Sequence, residues 1–310
     1  MRLSTYYMYQ HNIESISNAM ASGNDIYTRL SAGQTLLKPS DDPAGASQAV
    51  SWQTALADMD QYDTARTYAQ DALGQEDNTL SSIANILTGT LSETLVAGGN
   101  GAYSDEDRQA LATTLSGIRS SLRDLGNSRN SSGRYLFSGY KTGTEPFTAD
   151  GRYQGGDTAM MQQVGDSVTM QVGHTGQALF MSGSDDDLLA SIDKAIDALN
   201  TPVTSDDDRQ TLQTTLDSVT KSVKNNIDNL DNLGKIQAQV GTSLQQLESL
   251  GFSAATQKIT LESRLQQTVG SDPDTQISLI SQSKMAEFAL SSSMTVFQAL
   301  QKMSLFNYVS

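Results

Sequence analysis

The sequence contains no cysteine, which excludes disulfides, thiolate metal sites, iron–sulfur clusters and cysteine nucleophiles together. Histidine is almost as scarce. His11 and His174 are the only two, too few and too separated for a His-rich metal site. Five prolines in 310 residues leave long stretches free to be helical, and aromatic residues make up only 6%. No 18 apolar residues run together, so no membrane-spanning helix is expected. The opening Met1-Arg2-Leu3-Ser4-Thr5-Tyr6 lacks the apolar stretch of a cleavable secretion signal. Cationic residues are also few: 20 Lys and Arg face 35 Asp and Glu, a net charge of −15. Such a surface repels phosphate and excludes broad electrostatic binding to nucleic acid or anionic lipid.

Catalytic patterns are missing as well. There is no Gly-x4-Gly-Lys-Ser/Thr loop, no His-Glu-x-x-His and no Gly-x-Ser-x-Gly. Three acidic triplets, Asp105–Asp107, Asp185–Asp187 and Asp206–Asp208, each precede an amphipathic stretch, where negative charge complements a helix N-terminus. Asp272-Pro273-Asp274 reads as a turn and cap rather than a carboxylate pair. His11 reads as a surface or interface residue and Trp52 as a packing residue. The chain is expected to be no enzyme, with no cofactor and no metal.

What is present is helical periodicity. Tyr6, Ile13, Met20 and Tyr27 fall on one seam position of the first helix, and Tyr9, Ile16, Gly23 and Leu30 on the other. Gly33 suits its C-terminus, and Pro39-Ser40-Asp41-Asp42-Pro43 suits the start of a second helix continuing to about Val96. A third starts at a capping box, Ser104 to Asp107, with the stripe Leu111, Leu115, Ile118, Leu122 and Leu125. Its first twelve residues return at Ser205–Leu216 with nine identities. That likeness has two readings: paired elements around one core, or shared helix-start chemistry. The stretch after Ser205 carries a seam from Leu212 through Asn226 and Leu230 to Leu247. Continued to Gly270, it predicts one helix of about 65 residues and about 100 Å, hence a rod. Asn226 in that seam reads as a buried register device, so that leucine there should raise stability.

The last helix, about Thr275 to Phe306, has a polar face of Lys284, Glu287, Ser291, Thr295, Gln298 and Lys302. The remaining arc is apolar and wider than one partner helix covers. This points to other subunits, through Leu3, Tyr6, Tyr9, Ile13, Ile16, Met20, Tyr27, Leu30, Phe288, Leu290, Met294, Phe297, Leu300, Met303 and Phe306. Between the helical halves, alternating Val168, Met170 and Val172, the Asp150-Gly151 turn signal and frequent glycine indicate a small β-rich insert.

The expected fold is mainly α, an elongated antiparallel bundle or coiled-coil rod built from both chain ends, with a small central β-rich domain. Its parts are a terminal coiled-coil helix at 1–40, helical rod at 41–130, β-rich outer domain at 131–184, helical rod at 185–270 and C-terminal coiled-coil helix at 271–310. The segments of about 1–40 and 270–310 are expected to be mobile in a free subunit and ordered on assembly.

Several phrases resemble the flagellin superfamily. They are Arg2-Leu3-Ser4-Thr5, Leu30-Ser31-Ala32-Gly33-Gln34, Pro39-Ser40-Asp41-Asp42-Pro43-Ala44-Gly45, Val240-Gly241, Leu247-Glu248, Ile277-Ser278-Leu279 and Met303-Ser304-Leu305-Phe306-Asn307-Tyr308. They cover roughly 1–100 and 200–310. Pro39-Ser40-Asp41-Asp42-Pro43 and the single modest insert are more similar to the hook–filament junction members than to filament flagellins. The resemblance implies an extracellular axial subunit of the bacterial flagellum, exported through the flagellar secretion channel without a cleaved signal. It implies as partners further copies of itself, hook-associated protein 1, flagellin, and an export chaperone with its export apparatus, and neither nucleic acid nor membrane insertion. The alternatives are a filament-forming flagellin or, outside flagella, a cytoplasmic coiled-coil scaffold.

Overall fold

The computed structural model describes residues 2–185, 187–227 and 232–309; within these, the side chains of 2–5, 227, 300 and 303–309 are not described. Its helices are α1 (Arg2–Ala32), α2 (Pro43–Ile86), α3 (Ser92–Gly98), α4 (Asp105–Gly126), α5 (Gly176–Phe180), α6 (Leu188–Asn200), α7 (Asp206–Ile227), α8 (Leu233–Val269) and α9 (Pro273–Val309). A π-helical turn, Leu87–Leu91, joins α2 to α3, and two antiparallel strands, β1 (Met161–Gly165) and β2 (Val168–Gln171), form the sheet. The chain divides into two compact units, one made of residues 1–60 and 255–310, the other of 61–254.

The second unit holds the main core. Leu73, Leu80, Ile83, Leu87 and Leu91 lie buried along α2 and its π turn, facing Leu115 and Leu122 of α4, Ile192 and Leu199 of α6, and Leu216 and Val223 of α7. The repeated phrase proves to mark paired elements. Helix α6 packs against both α4 and α7, and α3 touches both equally. Leu115, Ile118 and Leu122 of α4 correspond to the buried Leu216, Val219 and Val223 of α7. The caps match too. Ser104 Oγ accepts from Asp107 N, and Ser205 Oγ from Asp208 N, each aspartate bonding back to the serine N–H. Asp208 also accepts from Thr204 Oγ1 and N at 2.8 and 2.9 Å, and the bonds from Thr204 and Ser205 hold its carboxyl down at about 2.

The single long helix expected after Ser205 is instead two. Helix α7 is described as far as Ile227, and Asn232, outside regular structure, precedes α8; Leu230 of the seam lies outside the described residues. Asn and Asp side chains compete with helical backbone bonds, and the Asn225–Asn232 stretch is rich in them. Asn232 Nδ2 donates to Leu179 O at 2.9 Å and to Asn226 Oδ1 at 2.6 Å, while Ile236 N bonds Asn232 O to start α8. Asn226 is buried as expected, but its amide is engaged in this junction.

The insert after α4 is held more by aromatic packing and glycine turns than by its short sheet. Phe137, Phe147 and Phe180 are fully buried, and Phe147 packs on Tyr153 and Phe180 at 5.4 and 5.1 Å. Burial pushes the Tyr153 hydroxyl up to about 12, while it donates to Phe137 O and Gly156 O. Gly126 and Gly176 let Phe147 approach the backbone, since a Cβ at either would lie within 3 Å of its ring. Asp150-Gly151 makes the expected turn, with Gly151 at φ +80° and Phe147 bridging Tyr153.

Candidate assembly interface

The terminal helices share the first unit. Helix α1 stops where Gly33 takes φ +68°, with Gly33 N bonded to Leu30 O and Gln34 N to Arg29 O. Thr35 N and Leu36 N then bond Val269 O at the end of α8. Gly270, at φ +68°, leaves room for Thr35 there. Helix α9 opens on Pro273, with Asp272 accepting from Thr275 N and Oγ1 at 3.1 and 2.7 Å. Those bonds hold the Asp272 carboxyl below the usual carboxylate range. This proline-flanked aspartate is a helix cap.

Helices α1 and α9 pack antiparallel on each other, with an aromatic and a polar contact between them among the described residues. Tyr9 and Phe297 pack with ring centres 5.3 Å apart. Tyr27 donates its hydroxyl proton to Glu287 Oε1 at 2.5 Å, and Lys284 donates to Glu287 Oε2 at 3.0 Å. The Tyr27 bond, then Lys284, holds the Glu287 carboxyl low, and Glu287 raises Lys284. The contact line itself is built from small residues: Gly23 is buried, and a Cβ on it would sit 4.0 Å from Ala286 Cβ. Ser283 is buried and Ala286 half-buried on α9.

Small residues inside leave large apolar ones outside. Of the two seam positions on α1, Ile16, Gly23 and Leu30 turn inward, while Tyr6, Ile13, Met20 and Tyr27 stay at least 41% exposed. Tyr9 remains exposed although it packs on Phe297. On α9, Phe288 is 75% exposed and Met294 is exposed, whereas Leu290 and Phe297 are half-buried. The side chains of Leu3, Leu300, Met303 and Phe306 lie outside the described residues. The six residues of the polar face of α9 are all exposed, and Glu287 among them also accepts from Tyr27 of α1.

Sequence reasoning missed Tyr7 and Met8 on α1 and Ile277 and Ile280 on α9, all exposed. The available signal was the glycine in one seam and the Ser283/Ala286 pair. Together they mark the close-packed line and so leave the bulky residues to other faces. His11 is exposed, 6.3 Å from the Tyr7 ring. Trp52 is half-buried on α2, with the Arg264 guanidinium 5.5 Å from its ring centre. No group of three metal-ligating side chains occurs among the described residues, and no helix among them is long and apolar enough to cross a membrane.

Residues 3–142 match the bacterial flagellin N-terminal helical region. The chain is 38% identical over 320 aligned residues to flagellar hook-associated protein 3 of Salmonella typhimurium, covering 99% of both proteins. The fold is similar to that of FlgL from Xanthomonas campestris, with a TM-score of 0.62 at 17% identity over 69% of this chain and 99% of that one. It is also similar to the flagellar junction protein FlgL from Legionella pneumophila, with a TM-score of 0.58 at 18% identity over 72% and 100%. That identity over 99% of both proteins means that the chain belongs to the flagellar hook-associated protein 3 family.

Proposed function

We propose that the chain is a non-enzymatic junction subunit of the bacterial flagellum, joining a zone of hook-associated protein 1 to the flagellin filament. The observation that carries this reading is the outward row of large apolar side chains on the α1–α9 pair. A helix pair that packs through Gly23, Ser283 and Ala286 keeps its aromatic and Met side chains for other molecules. Each such residue gains about 1.5–3 kcal/mol when fully covered, so copies of this chain and of its axial neighbours complete the surface. Both termini contribute to that surface, which suits a subunit contacting neighbours on several sides.

In this reading the subunit lies in the extracellular flagellum. It reaches its place through the flagellar export apparatus, escorted by an export chaperone and without signal cleavage. A filament-forming flagellin shares the end-helix physics. The whole-length similarity to hook-associated protein 3, insert included, favours the junction role. Gene deletion followed by electron microscopy and analysis of the medium tests it. The expected result is a hook lacking a filament with flagellin released into the medium; a normal filament on the deletion strain overturns it.

A further inference from the structure

His174 follows β2 at the point where the insert returns to the helices, and both of its ring nitrogens face oxygen. Nδ1 lies 2.8 Å from Glu76 Oε1 of α2, and Nε2 lies 3.1 Å from Gln239 Oε1 of α8. Only the imidazolium can donate from both nitrogens, since neutral imidazole has one N–H and turns a lone pair toward the other oxygen. Glu76 is 1% exposed, and its second oxygen, Oε2, has no hydrogen-bond partner. Its negative charge is therefore compensated by His174 alone among the described residues.

We propose that His174 is a pH-sensitive clasp: as the imidazolium it fastens the β-bearing insert to both α2 and α8, and loss of its proton loosens the insert from these helices. The groups around it fit the role. On α8 it meets the uncharged Gln239, and on α2 the Glu76 carboxylate. Asp71 and Tyr68 of α2, with Arg134 and Tyr135 of the insert, line the cleft of about 530 Å³ that His174 also borders. The one buried carboxylate touching the ring is that of Glu76. Burial by itself lowers the His174 value, but the hydrogen bond and charge of Glu76 overcome it and leave the ring above the ordinary 6.5. The folded chain thus holds this proton more tightly than the unfolded chain. The clasp is complete below the unfolded value near 6.5 and is lost as pH rises through the higher folded value. Deprotonation leaves a buried carboxylate without its counter-charge, while Arg66 Nη1 of α2 still donates to Val164 O of β1 at 3.1 Å.

The presence of only two histidines makes the test direct in the full chain. Imidazole NMR of the purified protein gives two titrations, and His11→Gln assigns the His174 signal. The expected result is a His174 titration above 6.5, with amide protection in residues 161–172 falling by up to about tenfold per pH unit beyond it. Glu76→Gln should move the His174 titration below 6.5 and remove the pH dependence of protection. Should that variant not fold, His174→Gln serves, with low protection of the hairpin at every pH. A wild-type His174 titrating at or below 6.5, or hairpin protection unchanged across its titration, overturns the proposal.

Discussion

Replacing Phe288 with Asp separates assembly from folding. Phe288 is 75% exposed on α9, so the subunit alone stakes little on it, and the change in helix propensity costs at most about 0.7 kcal/mol. In the assembled state a covered Phe contributes about 1.5–3 kcal/mol, a loss of roughly 10- to 150-fold in association at each such contact. A buried carboxylate adds further cost unless it is solvated. Leu279, nine residues earlier on α9 and 4% exposed, is the matched control. Leu279→Ala should lower the stability of the free subunit by about 2–5 kcal/mol, a drop of several degrees in Tm. The assays are thermal unfolding of purified subunit and recovery of each variant in sheared flagella from a complemented deletion strain. Phe288→Asp should unfold like wild type yet be missing from the flagella. Normal incorporation of that variant, or a Tm loss as large as that of Leu279→Ala, would refute the interface reasoning. Phe297 is a poorer probe, because its contact with Tyr9 confounds assembly with packing inside the unit.

Two glycines in α4 should respond in opposite senses. Gly126→Ala drives a Cβ to 2.8 Å from the buried Phe180 ring and should cost about 1–3 kcal/mol, whereas Gly117→Ala, with nothing within 4 Å, should add about 0.5–1 kcal/mol. Equal effects in urea unfolding would contradict this close packing of helix and insert. Asn226→Leu should lower stability by about 1–3 kcal/mol, because it removes the Asn232 partner at the α7–α8 junction; a higher Tm would restore the simple seam reading. The lowered carboxyl of Asp208 contributes stability above the unfolded value of 3.8 that disappears as pH falls toward about 2. Asp208→Asn should therefore flatten the acid limb of the stability curve between those values, and an unchanged limb would show that the cap is not felt in solution.

The helices were legible because their causes are local. Capping residues at Ser104, Ser205 and Asp272, the glycine after α1 and the spacing of apolar residues all act within one or two turns. The Asp150-Gly151 turn was legible for the same reason. The break before Leu233 was not. The seam from Leu212 to Leu247 keeps its interval across it, and Asn232, which is not helical, donates to Leu179 O, 53 residues away, and to Asn226 Oδ1. Local propensity leaned toward a break, but only the distant carbonyl decides whether an Asn side chain turns away from its own helix.

The outward surface of the terminal helices divides in the same way. Sequence alone determined that α1 and α9 carry more apolar surface than a single pairing covers, since the count and spacing of such residues are fixed by the chain. It also excluded thiol chemistry and made an acidic, mainly helical subunit unavoidable. The tertiary structure decided which residues face inward. Close approach of two helices selects the narrowest line, Gly23 against Ser283 and Ala286, and leaves the bulk of Tyr6, Met20 and Phe288 outside. Tertiary packing likewise joined Glu76, His174 and Gln239, because no sequence period relates side chains on α2, the end of β2 and α8.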